Sequence, residues 1–166
     1  ADVLSTSGWR AVVPPVSRSW TARHAKSITL VDDTGVQLDL HRLLATGPLG
    51  ARVNPSALFG PGDVLTVGAH RVMALARVHR FLHACYHAAL GATRGARHDR
   101  DLLLLAATTA AHELDDHWRD GWSATVVAAA LLPVCQWLAP SWQEWVRGVQ
   151  PDPDDGDVVH LSPPPP

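Results

Sequence analysis

A chain of 166 residues, 46% of them hydrophobic and 18% charged, has the material for one core of ordinary size and not for a second full domain. Its formal net charge of −2 with His neutral, and the lack of a Lys/Arg-rich patch, argue against a nucleic-acid backbone as its main partner. The longest apolar run, near residues 125–132, is too short and too Ala-rich for a bilayer, and no basic-then-apolar leader opens the chain, so no membrane partner is expected and the cytoplasm is the expected compartment.

Up to about Lys26 the chain reads as loop with some extended structure, stiffened by Pro14-Pro15 and carrying Trp9 and Trp20 as packing candidates. Residues 27–31 and 36–40 then form a predicted hairpin. The turn between them, Asp32-Asp33-Thr34-Gly35, has the chemistry of a tight reversal: Gly tolerates positive φ and Asp bonds its own backbone, so turn formation is a better reading of these adjacent carboxylates than metal binding. In the second strand Val36, Leu38 and Leu40 share one face, while Gln37, Asp39 and His41 share the other. A Gly/Pro-punctuated loop is expected over 46–62, followed by a second hairpin, 64–67 with 70–75, turned by Gly68-Ala69.

From Ala76 the apolar period changes from two to about three and a half. Val78, Leu82, Cys85, Ala89 and Leu90 stand at helical spacing until Gly91 and Gly95 end the run. A second helix is predicted from about Asp99 to Glu113, and a third over 123–138 with Ser123 as N-cap and Pro133 kinking or ending it. A short helix over 141–149 carries Trp142 and Trp145, and the Asp/Pro-rich stretch 150–166 is expected to be disordered. The expected fold is therefore α+β: a small antiparallel or mixed sheet from the two hairpins (1–75) packed on a C-terminal group of three or four helices (76–149). Cys85 and Cys135 lie in apolar helical runs and read as buried reduced thiols, with their pairing left open.

Three constellations beyond the strand carboxylate bear on chemistry. His79, His83 and His87 recur every four residues, one stripe of a helix; such a stripe can chelate a transition metal, although half-buried, hydrogen-bonded histidines are the commoner outcome. His112-Glu113-Leu114-Asp115-Asp116-His117 has one residue too many for the zinc-protease helix motif, which swings the second ring by about 100° on a 3.6-residue helix and points to a helix end instead. Trp137, Trp142 and Trp145 form an aromatic-rich C-terminal region suited to a protein interface. Neither a Gly-x-Ser-x-Gly elbow nor a phosphate-cradling Gly-rich loop is present.

Asp39-Leu40-His41-Arg42-Leu43 at a strand end, a variable loop, a short hairpin ending in Ala74-Leu75-Ala76, and a helix reading Leu82-His83-Ala84-Cys85-Tyr86-His87 together resemble the later part of a bacterial nucleotidyltransferase-like family with the polymerase-beta-type fold. The likeness spans roughly residues 8–138. It implies transfer of a nucleoside monophosphate from a nucleoside triphosphate to an acceptor with magnesium, with Asp39 as the third metal-binding carboxylate or general base and His41 as a substrate contact. The family's Gly-Ser turn with its Asp-x-Asp pair has no counterpart upstream of Asp39, so the resemblance implies either the C-terminal part of a longer enzyme or a degenerate relative. A non-catalytic interaction module and a metal-binding protein built on the His stripe are the competing expectations.

Overall fold

The computed structural model describes residues 4, 6–13, 17, 26–44, 47–58, 62–91 and 93–150, so Pro14-Pro15, Trp20 and the stretch beyond Gln150 lie outside the described residues. The chain divides into two compact units, Ala1–Leu44 and Ala45–Pro166, and has the expected α+β character.

The first unit is built on β1 (Arg10–Ala11), β2 (Ser27–Val31) and β3 (Gln37–His41), an antiparallel sheet in the order β1-β2-β3. Leu30 faces Leu38 and Ile28 faces Leu40, so the apolar residues of both strands gather on one face with Leu30 buried. The β2–β3 turn is closed by one carboxylate oxygen: Asp32 Oδ1 accepts from the Thr34 hydroxyl at 2.8 Å and from the Thr34 and Val36 N–H groups at 2.9 Å each. Gly35 takes a φ of +87°, which a side chain would resist. The Thr34 hydroxyl and those N–H groups hold the Asp32 carboxyl below its ordinary value, so this group does turn chemistry.

The second unit opens with two short helices, α1 (Gly47–Arg52) and α2 (Pro55–Leu58), where the sequence reads as loop. Prolines break helices internally but suit their first turn, and Pro48 and Pro55 both sit there. Asn54 Oδ1 accepts from the Ser56 N–H at 3.0 Å, and Leu49, Val53 and Leu58 bury their side chains. Next come β4 (Asp63–Val67) and β5 (His70–Ala74), joined by a two-residue turn with Gly68 at φ +60°. They form a separate two-stranded sheet, so the two hairpins do not merge into the single sheet expected from sequence. The β4–β5 ribbon belongs to the helical unit, and the Asp63 carboxylate pairs with Arg80 at 2.7 Å.

Around α3 (Arg77–Leu90) the unit builds its core. Phe81, Leu82, Cys85, Tyr86 and Ala88 are buried, and the helix packs on α4 (Ala96–Ala106) and α5 (Ala124–Leu131). Ser123 caps α5 as expected, its Oγ accepting from the Val126 N–H at 3.3 Å. Pro133 has no N–H to continue the ladder, and the chain passes into a 3-10 turn over Leu132–Trp137 before α6 (Pro140–Gly148). The second predicted helix stops at Ala106, seven residues short of Glu113. There the Thr108 hydroxyl donates to the Leu105 carbonyl at 3.1 Å, and the Trp142 indole N–H donates to the Ala106 and Thr109 carbonyls at 3.1 and 3.0 Å, so the helix end is stabilised by side chains rather than by further turns.

That bond also corrects the reading of Trp142 as an interface residue. At 2% exposure it is a core residue, 5.0 Å from the Phe81 ring, while Trp145 is half-buried between Trp142 and Trp118; of the three tryptophans only Trp137, 64% exposed, faces outward. Cys85 and Cys135 are free thiols, and full burial pushes the Cys85 thiol far above its ordinary value. Among the described residues no helix is long and apolar enough to cross a membrane.

Candidate functional site

β3 sets Asp39 opposite Thr29 on the face that also carries Gln37 and His41, as the alternation of the strand requires. Asp39 and His41 are exposed on an edge strand, and among the described residues no hydrogen bond or ion pair engages the Asp39 carboxylate. Magnesium is held by one or two carboxylates together with substrate phosphates and water, and Asp39 fits one such contact. It belongs to no larger metal-ligand cluster: among the described residues the one group of three or more His, Cys, Asp or Glu side chains that could share an ion is His79, His117 and Asp120.

The three histidines of the α3 stripe go separate ways. His83 and His87 have ring centroids 6.2 Å apart, and His87 lies 5.2 Å from His98 of α4, whose Nδ1 accepts from the Gly95 N–H. His79, one turn earlier and only 7% exposed, faces the segment between α4 and α5 instead.

That segment, residues 107–123, holds two 3-10 turns, Ala111–Leu114 and Trp118–Asp120. Glu113 is consumed by structure: its carboxylate accepts from the Ala110 N–H at 2.7 Å and pairs with Arg77, so no zinc-protease arrangement forms. His117 and Asp120 are different. A 3-10 turn has three residues per turn, so positions i and i+3 lie on the same side, and the His117 Nδ1 and Asp120 Oδ2 atoms stand 3.9 Å apart. The turn is fastened by the Asp120 N–H to the His117 carbonyl at 3.0 Å and by the Asn54 N–H to the Asp120 carbonyl at 2.8 Å. Gly121 ends it at φ +87°, and a Cβ there would lie 2.0 Å from the Arg52 carbonyl oxygen, so only glycine lets the two backbones meet.

His79 Nε2 lies 3.2 Å from His117 Nδ1 with the rings edge to face, and the ligand atoms of His79, His117 and Asp120 all fall within 4.8 Å of one another. Trp122 stacks beside His79 at 6.3 Å, and its indole N–H is buried without a partner, as is His79 Nδ1. Tyr86 braces Trp122 edge-on at 4.8 Å, and its hydroxyl oxygen accepts from the Ser123 N–H at 2.6 Å. Burial first, and the facing His117 second, lower the proton affinity of His79, while Asp120 opposes them; the ring is therefore neutral at pH 7 and has a lone pair to offer. The sequence points to His79, but to partners on its own helix; it shows His117 only as half of a failed motif and gives Asp120 no weight. The spacing that finds them is His-x-x-Asp ahead of a helix-ending glycine.

Comparison with protein-family models, with curated proteins and with solved structures finds no match to this chain.

Proposed function

We propose that this chain is nucleotidyltransferase-like and takes part in moving a nucleoside monophosphate from a nucleoside triphosphate to an acceptor hydroxyl. The carrying observation is the disengaged Asp39 carboxylate, exposed beside Gln37 and His41, in contrast to Asp32, whose oxygen is saturated by its own turn. An unengaged carboxylate on a sheet face has lone pairs for a magnesium–triphosphate complex or for the proton of an acceptor hydroxyl, and His41 is in position to contact the same substrate. Magnesium, when bound, offsets the charge of the phosphates during transfer.

Calorimetric titration with magnesium and each nucleoside triphosphate, repeated on Asp39→Asn, tests this. Saturable, magnesium-dependent binding that is lost in the variant supports the reading; no heat from any triphosphate, or undiminished binding by the variant, refutes it. A non-catalytic interaction module is the second reading, favoured by the β4–β5 ribbon, where Val64, Leu65, Val67, Val72 and Met73 are all exposed. It takes first place if the titrations are flat.

A further inference from the structure

We propose that His79, His117 and Asp120 bind one divalent transition-metal ion, with zinc as the expected occupant. Two nitrogens each about 2.0–2.1 Å from a shared ion at the tetrahedral angle are separated by about 3.3 Å. The observed separation of His79 Nε2 and His117 Nδ1 is 3.2 Å. Asp120 Oδ2 stands 3.9 Å from His117 Nδ1, and the three ligand atoms lie within 4.8 Å of one another, so the carboxylate must swing inward by up to roughly 1.5 Å to complete the same tetrahedron, a movement that rotation about its χ angles supplies.

The plain alternative is a hydrogen bond between the two rings. It would account for the 3.2 Å contact, but it has no use for a carboxylate, and the tightly fastened 3-10 turn presents Asp120 on the same side as His117. The other ring nitrogen of His79, Nδ1, is buried and unpartnered in either arrangement, so the carboxylate decides between them. An ion in place of the shared proton engages both rings and the carboxylate together.

The donor set selects the class of ion. Two imidazoles and one carboxylate suit zinc and its first-row neighbours, whereas magnesium and calcium prefer an all-oxygen shell. Access is open on one side only: His79 is buried, while the His117 and Asp120 side chains retain 23% and 33% of their exposure. Three protein ligands leave at least one coordination position, on the solvent side, for water or a ligand oxygen. This site is separate from Asp39 and does not depend on the nucleotidyltransferase reading.

The test is titration of the chelator-stripped full chain with zinc, and with cobalt(II) as a spectroscopic probe. One ion per chain is expected, with a cobalt visible spectrum of a low-coordinate site having nitrogen ligands. Asp120→Asn and His117→Ala, both at partly exposed positions, are expected to weaken zinc binding more than the 10–100-fold typical of losing an outer-shell partner. His83→Ala is expected to leave it unchanged, and excess magnesium is expected not to compete. Far-UV circular dichroism establishes that each variant is folded; if His117→Ala is not, Asp120→Asn carries the test alone, since it preserves shape. The proposal is overturned if the wild type binds no stoichiometric ion, if Asp120→Asn binds as tightly as wild type, or if His83→Ala abolishes binding, which would return the ion to the α3 stripe.

Discussion

Replacing Trp142 by Phe separates a core tryptophan from an interface one. The indole N–H is the donor to two carbonyls, those of Ala106 and Thr109, at the end of α4, and the ring fills space against Phe81 and Trp145. Phenylalanine keeps most of the apolar contact but strands these acceptors, at a cost of about 1–3 kcal/mol. The unfilled volume adds about 1 kcal/mol at roughly 24 cal/mol per Å³ of residual cavity. The expected loss is therefore about 2–4 kcal/mol, which at about 2 kcal/mol per molar urea moves the unfolding midpoint down by roughly 1–2 M with an unchanged slope. The helical far-UV signal is the appropriate probe, because α3 to α6 all lie in the unit that holds Trp142. Trp137→Phe is the control: its ring faces outward, and a change within about 0.5 kcal/mol is expected. If Trp142→Phe is as stable as wild type, or Trp137→Phe is as damaging, the indole does not hold the end of α4 and the core assignment fails.

Two further outcomes follow from the His79 neighbourhood. Gly121→Ala meets both a left-handed φ of +87° and a carbonyl oxygen 2.0 Å from the new Cβ, so about 2–4 kcal/mol is expected, against about 1–2 kcal/mol for Gly35→Ala, which has the same φ and open space; equal losses in urea unfolding would refute the close approach to Arg52. In metal-free protein, the lowered proton affinity of His79 makes stability fall as pH drops: above about pH 6.5 the ring is neutral folded and unfolded, and below it the unfolded chain takes a proton that the folded chain accepts only at lower pH. The stability lost between about pH 7.5 and about pH 5.5 should therefore be larger in wild type than in His79→Gln, and equal losses would show that the burial of His79 has no energetic consequence.

Strand register and helix caps were legible because they are local. The alternation of residues 36–41 alone puts Asp39 and His41 on one face, and Ser123 and Gly68 do what their chemistry requires. Misreadings arose where one residue type serves two purposes. Pro48 and Pro55 read as loop punctuation although proline also opens helices, and Trp142 read as an exposed anchor although an indole with two carbonyls in reach belongs inside. The histidine cluster was out of reach for a different reason. Helical periodicity joins His79 to His83 and His87, four and eight residues away, whereas its real neighbour is 38 residues along the chain and is brought there by α3 packing against α5. His117 and Asp120 are partners only because the chain between α4 and α5 adopts 3-10 turns, in which every third residue is eclipsed; on an α-helix the same pair would diverge by about 60°. The one-residue excess in the zinc-protease pattern at His112 thus has a structural meaning: the ligand-bearing element is the tighter turn that follows, and its spacing is His-x-x-Asp, closed by a glycine that no other residue could replace against Arg52.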